Sequence, residues 1–349
     1  MSQAATLAPA NLPSRSPGLW TQAWQRFCRD RVGLVSFAVV LLYLVLMIAS
    51  GTGLIAKDWD QDVGVSYAPP TFIGPEAAAP PGASAPGPDA GPKPEDLGIV
   101  DPLGETLAEI RSTLAGASPT DSKATTLPLG ADKWGRDVLK KAIKGSETSI
   151  WVGLAAAALA AFLGTVFGAQ AGYYGGRVDD FFNWLYSVFT SIPYLLLVLA
   201  VAAVLNQKGT VTVILILGLT GWTGIFRLIR AEYLRHRVRE YVLAADAIGA
   251  SDARRMFVHI LPNVSHVVLV QLSLHVVLFI KSEVVLSFLG FGVGVETVSW
   301  GSMLNEAQTE LILGKWWQLA AATACMAVLV TAFSLFTDAL RDALDPRLK

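Results

Sequence analysis

Long runs of uncharged, apolar residues constrain this chain more than any other feature of its sequence. A helix needs about 20 apolar residues to cross the hydrocarbon core of a bilayer, and six segments reach or approach that length. They are Val32–Ala56, Ser149–Ala171, Phe182–Leu205, Val211–Ile229, Val264 to about Phe291, and Trp316–Thr337. Only 16% of the residues are charged, whereas soluble domains carry about 25%. The sequence therefore predicts an all-α integral membrane protein with six transmembrane helices.

The positions of the basic residues predict how these helices are oriented. Arginine and lysine are concentrated in the N-terminal tail, between spans four and five, and in the C-terminal tail. In a six-span protein these three segments share one side, and the positive-inside tendency makes that side cytoplasmic. The first apolar run is too long for a cleavable signal peptide, so we expect a permanent anchor.

The spans divide the chain into expected regions. These are a cytoplasmic tail 1–31, a first transmembrane helix 32–56, an external segment 57–148, a membrane core 149–337 that includes a cytoplasmic loop 230–263, and a cytoplasmic tail 338–349. Within the external segment, Pro69–Pro94 is rich in Pro, Ala and Gly and is expected to lack a packed core. Asp101–Gly116 has a short helical pattern, and Lys133–Lys144 is predicted to be an amphipathic helix along the outer interface.

The loop between spans four and five is too polar for the bilayer and too regular for a disordered linker. Small residues crowd its centre, around Gly249. We expect two short helices joined at that glycine, with Ser251 capping the second helix and Pro262 ending it. The small-residue face suits either docking to a partner protein or packing against the protein's own bundle, and the pattern alone leaves both open.

Three residues within the spans are candidates for lining a pathway or facing a partner. Pro193 is predicted to kink span three, because proline frees a backbone carbonyl. Lys281 and Glu283 interrupt span five, and charges at membrane depth usually face the bundle interior or water. Their separation of two positions directs them to different sides of a helix, and we expect Glu283 to be the inward one.

Enzymatic and nucleic-acid-binding functions find little support. The four histidines, His236, His259, His266 and His275, form no H-E-x-x-H pair, and no G-x-S-x-G elbow occurs. A net charge of −1 argues against nucleic acid as a partner. No G-x-x-x-x-G-K-[ST] phosphate loop is present. We therefore expect no catalytic residue, no metal site and no ATPase site in this chain.

The loop sequence AADAIGASDARRMFVHILPN resembles the EAA loop of ATP-binding-cassette import permeases. Ala244, Ala245, Gly249, Leu261 and Pro262 are in register with that motif, while Leu243 occupies its acidic position. Four further segments resemble the oligopeptide/dipeptide (nickel) branch of the same family. They are LPLGADKWGRDVLKKAIKGSETSIWVG, AGYYGGRVDD, SFLGFGVGVETVSWGSML and RDALDPRL. The resemblance covers span one and nearly everything from residue 127 onward, but not the insertion at about 57–125.

This resemblance implies a type I importer permease fold with a long external loop after the first helix. It also implies a bacterial inner-membrane location, a homologous second permease, two cytoplasmic ATPases that bind ATP and Mg, and an extracytoplasmic peptide-binding protein. In such a complex, Ala244, Ala245, Gly249, Ala250 and Ser251 would contact an ATPase, with Arg254 and Arg255 at the rim. Membrane lipid is the remaining partner, and no cofactor is expected in the chain itself. The implied cargo is a peptide; the alternative is nickel or another chelated metal.

Overall fold

The computed structural model describes residues 24–75, 106, 123–294 and 296–344. Residues 76–94 of the Pro/Ala/Gly-rich stretch lie outside this part, as does the expected helix Asp101–Gly116 apart from Thr106. The described residues form helices joined by turns, with isolated bridges but no strand among them.

The helices are numbered in chain order. They are α1 (Arg31–Gly51), α2 (Val138–Tyr174), α3 (Gly176–Thr190), α4 (Tyr194–Leu205), α5 (Thr210–Thr220), α6 (Thr223–His236), α7 (Glu240–Ala247), α8 (Asp252–Phe288, with a π-helical turn at Arg255–Ile260), α9 (Trp300–Ile312) and α10 (Trp317–Leu344).

Four of these helices, α1, α2, α8 and α10, are long and apolar enough to cross a membrane. Two bent pairs, α3 with α4 and α5 with α6, each pass the same test when joined. The described part of the chain thus provides four spans, or up to six if each pair is one span. The fold is that of a helical membrane protein, as the apolar runs predict.

Span three is interrupted at Pro193, and the interruption is stronger than the expected kink. Helix α3 ends at Thr190, Pro193 has an extended backbone (φ −53°, ψ 131°), and α4 begins at Tyr194. The two helices meet at 85°. Proline disfavours the helical conformation for the residue before it, so the chain leaves the helix and starts a new one.

The described residues fall into two compact units. The bundle unit comprises Met1–Ile55, Ile143–Asn305 and Ala322–Lys349, and the loop unit comprises Ala56–Ala142 and Glu306–Ala321.

A glycine stripe on α2 brings α6 unusually close within the bundle unit. The stripe consists of Gly164, Gly168 and Gly172. A Cβ atom on Gly168 would lie 2.9 Å from the carbonyl oxygen of Phe226, and one on Gly172 would lie 2.6 Å from that of Arg230. Only glycine permits such backbone contact, which is the small-xxx-small mode of packing between membrane helices.

The amphipathic helix expected at Lys133–Lys144 begins later than the sequence pattern indicates. The helix starts at Val138 and continues without a turn as α2. The Asp132 carboxylate accepts hydrogen bonds from two backbone amides of the following turn, and Gly135 has a φ of +86°. Asp137 then caps the helix through its side chain. These local side-chain bonds favour a turn over helix, so the expected boundary was wrong.

The loop unit is built around a buried ammonium group. The Lys141 Nζ donates to Asp132 Oδ2 at 2.7 Å and to Glu306 Oε2 at 2.6 Å. Gln318 and Glu310 complete this group, which we call the Lys141 cluster. It holds three carboxylates against one lysine, and Lys141 and Asp132 are almost fully buried.

Glu310 is the unpaired member of the Lys141 cluster. Its side chain is fully buried, and neither carboxylate oxygen makes a full hydrogen bond within the described part of the chain. Burial raises the pKa of Glu310 to about 7, because water no longer solvates its charge, and nearby Asp132 and Glu306 act in the same direction. Lys141 opposes the shift without cancelling it.

Candidate functional site

The cytoplasmic-loop prediction corresponds to a helical elbow formed by α7, the Gly249 turn and the start of α8. Helix α7 ends in a Schellman motif, in which the Ala250 amide bonds to the Ala245 carbonyl at 3.0 Å and the Gly249 amide bonds to the Asp246 carbonyl at 2.8 Å. Gly249 has a φ of +81°, a conformation that favours glycine. The prediction of a glycine turn at this position is confirmed.

Ser251 starts the second arm of the elbow, as predicted. Its backbone is extended, and its hydroxyl oxygen accepts a hydrogen bond from the Arg254 amide at 3.4 Å. An N-cap of this kind satisfies one of the free amides at a helix start.

Pro262 does not end the second arm, contrary to the expectation. The helix passes through a π-helical turn at Arg255–Ile260, where the Leu261 amide bonds to the Met256 carbonyl five residues earlier, and it continues as α8. Proline lacks an amide to donate and its ring clashes with the preceding turn. The wider π turn accommodates both effects, so the proline lies inside a continuous helix.

The elbow is attached to the bundle by a set of apolar and polar contacts. Val242, Met256 and Ile260 pack with Ile229 and Tyr233 of α6. The Tyr233 hydroxyl also donates to the Met256 carbonyl at 3.0 Å. These contacts hold one face of the elbow and leave the opposite face exposed.

The exposed face of the elbow is more apolar than the small-residue pattern predicts. Ile248 is 84% exposed and Leu243 is 56% exposed. Sequence reasoning missed Ile248 and treated Leu243 only as a departure from the acidic position of the motif. Both lie among charged residues of the loop, where large exposed apolar side chains are typical of a protein interface.

The predicted contact residues divide between the exposed face and the interior. The exposed contact residues are Ala244, Gly249, Ser251, Arg254 and Pro262. Ala250 and Leu261 are half-buried. Ala245 is buried, so its side chain is not on the exposed surface; its carbonyl serves the Schellman motif instead.

Arg255 is placed differently from the expected rim contact. Its guanidinium forms ion pairs with Asp246 before the turn and with Asp252 after it. The ring of Tyr173 lies 5.8 Å from the guanidinium carbon, and the Tyr173 hydroxyl donates to Asp252 Oδ1 at 3.0 Å. Arg254, by contrast, is exposed and has no ion pair among the described residues.

Lys281 and Glu283 lie in opposite environments on α8. Lys281 is exposed, whereas Glu283 is fully buried in the bundle unit. The hydroxyls of Ser149 and Ser287 each donate to the Glu283 carboxylate at 2.7 Å, and the Ser149 oxygen also accepts from the Trp300 amide at 3.3 Å. Glu283 is therefore inward, but it faces polar groups of its own chain rather than an open pathway or a partner.

The described residues contain no group of three or more His, Cys, Asp or Glu side chains arranged to hold a metal ion. Pro193 is exposed at the break between α3 and α4.

Two protein families match parts of this chain. A family described as "Binding-protein-dependent transport system inner membrane component" matches residues 164–349. A second, described as "N-terminal TM domain of oligopeptide transport permease C", matches residues 18–70.

Individual relatives carry peptide-transport names. A dipeptide transport system permease protein of Bacillus subtilis is 37% identical over 229 residues, covering 64% of this chain and 71% of the relative. An oligopeptide transport system permease protein of the same organism is 36% identical over 221 residues, covering 63% and 72%. A glutathione transport system permease protein of Pectobacterium atrosepticum is 33% identical over 221 residues, covering 63% and 73%.

Proposed function

The chain belongs to the family of binding-protein-dependent transport system inner membrane components, and from that premise we propose that it is a permease subunit of an ATP-driven peptide importer. As a member of this family it is a multi-pass inner-membrane protein and a permease subunit of an ATP-binding-cassette importer. The peptide cargo is supported by relatives named for dipeptide, oligopeptide and glutathione transport.

The exposed elbow is the observation that carries the mechanism. It presents Leu243, Ile248 and the Gly249 turn away from the bundle, while its other face is packed on α6. An element that is rigidly held on one side and apolar on the other fits docking into a partner's groove. We propose that one of two cytoplasmic ATPases docks there, with Ala244, Gly249, Ser251 and Arg254 at the contact.

Transport in this proposal is driven by partner subunits. Two ATPases bind ATP and Mg, a second permease completes the pathway, and an extracytoplasmic binding protein delivers the peptide. Closure of the ATPases moves the elbow, and the helices packed on it follow as rigid bodies. Nucleotide shifts the conformational equilibrium because the docked elbow has different contacts in the two states.

Orientation and partner contacts complete the proposal. Both termini are cytoplasmic, since the basic residues are concentrated in the tails and the elbow segment. The exposed Lys281 and the break at Pro193 face the second permease or the pathway.

The test is uptake of radiolabelled dialanine by proteoliposomes containing the assembled importer. We expect ATP-dependent uptake with the wild-type chain. Ile248→Asp should abolish uptake and release the ATPase docked on this chain during co-purification, because it places a charge on the apolar face. Retention of both ATPases by Ile248→Asp, with normal uptake, would contradict docking at the elbow.

A further inference from the structure

We propose that Arg255 is a positioning residue that keeps the elbow rigid across the Gly249 turn and fastens it to helix α2. The role in transport rests on the proposed function, because a rigid elbow matters for transport only if an ATPase moves it. The geometry of the clamp itself belongs to this chain alone.

The Gly249 turn joins the two arms of the elbow. Gly249 has a φ of +81°, and no atom lies within 4 Å of the position where a Cβ would be. Two backbone hydrogen bonds close the turn. Glycine has more backbone freedom than any other residue, so further contacts are needed to hold the angle between the two arms.

Arg255 supplies such contacts across the turn. One guanidinium nitrogen pairs with Asp246 on α7, and another pairs with Asp252 at the start of α8. Because the guanidinium is planar and carries several fixed donors, it sets the relative position of the two carboxylates. The two arms are thereby joined by a side chain as well as by the backbone.

Tyr173 extends the connection to α2. Its hydroxyl donates to the same Asp252 carboxylate that Arg255 binds, and its ring lies beside the guanidinium. Tyr173 is in the last turn of α2, directly after Gly172, which packs on the backbone of α6. Displacement of the elbow is thus passed to α2 as well as to α8.

Exposure and charge distinguish Arg255 from an ATPase contact. Its side chain is 19% exposed and its charge is matched by two carboxylates of its own chain, which leaves little for a partner. The two carboxylates are themselves about half exposed, and ion pairs with exposed members contribute little to stability. The clamp therefore sets geometry, and its removal should leave the protein folded.

The decisive variant is Arg255→Gln, measured in proteoliposomes with dialanine uptake and ATP hydrolysis recorded on one preparation. We expect the amount of dialanine imported per ATP to fall by roughly fivefold to tenfold, with wild-type amounts of ATPase co-purified. Arg255→Lys should give an intermediate ratio, because one ammonium group cannot reproduce the guanidinium fork.

The matched control is Arg177→Gln, which removes an exposed arginine with no ion pair among the described residues. It should keep the wild-type ratio. A wild-type ratio in Arg255→Gln would overturn the clamp while leaving the importer proposal intact. Should Arg255→Gln fail to assemble, Tyr173→Phe removes only the hydroxyl bond to Asp252 and must lower the ratio in the same direction.

A structural measurement tests the clamp independently of transport. Spin labels at Glu240→Cys and Val258→Cys, both exposed positions, report the distance between the arms in a chain whose Cys28 and Cys325 are replaced by serine. Arg255→Gln should broaden the distance distribution measured by dipolar EPR, and Arg177→Gln should not. Equal widths in wild type and Arg255→Gln would refute the proposal even if dialanine were not transported.

Discussion

The buried carboxyl of Glu310 makes the stability of the loop unit dependent on pH in a specific direction. Its pKa is raised from 4.5 to about 7 in the folded chain. Between these values the folded state binds more protons than the unfolded state, so stability falls as pH rises. The stabilising contribution is complete below pH 4.5 and is lost as pH passes through about 7.

The size of the effect follows from the pKa difference. One pKa unit corresponds to about 1.4 kcal/mol, so ionising Glu310 costs about 3 kcal/mol of folding free energy. Glu310→Gln places a neutral amide of similar shape at the same position, and its stability lacks this pH dependence. Relative to wild type, the variant should therefore gain about 3 kcal/mol between pH 4.5 and pH 8.

Tryptophan fluorescence during thermal unfolding of the detergent-solubilised chain measures this difference, because Trp134 and Trp317 lie in the loop unit. We expect the midpoint of Glu310→Gln minus that of wild type to rise by on the order of 6 °C across this pH range. Glu296→Gln, at an exposed position, is the matched control and should follow wild type. Parallel pH profiles of wild type and Glu310→Gln would refute the reasoning.

Three further predictions concern the bundle and the elbow. Gly168→Ala should lower the stability by about 1–3 kcal/mol, measured as a lower thermal midpoint, because the added Cβ would lie 2.9 Å from the α6 backbone. Gly224→Ala should keep the wild-type midpoint, because the atom nearest to its Cβ would be 3.6 Å away. Glu283→Ala should lower the free energy of unfolding by about 2–4 kcal/mol, because two serine hydroxyls lose their acceptor. In thermal unfolding, Glu283→Gln should lose less stability than Glu283→Ala. Leu243→Glu should weaken ATPase binding about fivefold to tenfold in a titration, although it restores the acidic residue of the motif. Tighter binding would show that the ATPase presents a cation to this position.

Helix existence was largely predictable because it depends on local composition. An apolar run that crosses the bilayer as a helix satisfies its backbone polar groups internally. Helices α1, α2, α8 and α10 occupy four of the predicted spans. The glycine stripe on α2 was also visible in the sequence as glycines at four-residue spacing. That spacing alone does not identify the helix that packs on the stripe.

Proline positions were harder to interpret, since the same residue has opposite effects in two spans. At Pro193 the helix breaks and resumes at 85°. At Pro262 it continues, because a π-helical turn precedes the proline. Both prolines lack a backbone N–H to donate. Whether the chain then widens its helix or leaves it depends on the packing of neighbouring residues.

The elbow shows which features of a functional site are local and which are tertiary. The Gly249 turn and the Ser251 cap are formed by residues within a few positions of one another, and both were predicted. Arg255 was expected at the rim of a partner contact. Its ion pairs with Asp246 and Asp252 are local, but its link to α2 was not predictable, because Tyr173 binds Asp252 from 79 residues away. Local residues therefore specify the bend of the elbow, whereas its attachment to α2 requires the folded bundle. In the proposed coupling mechanism both would matter, because movement of the elbow reaches α2 only through that attachment.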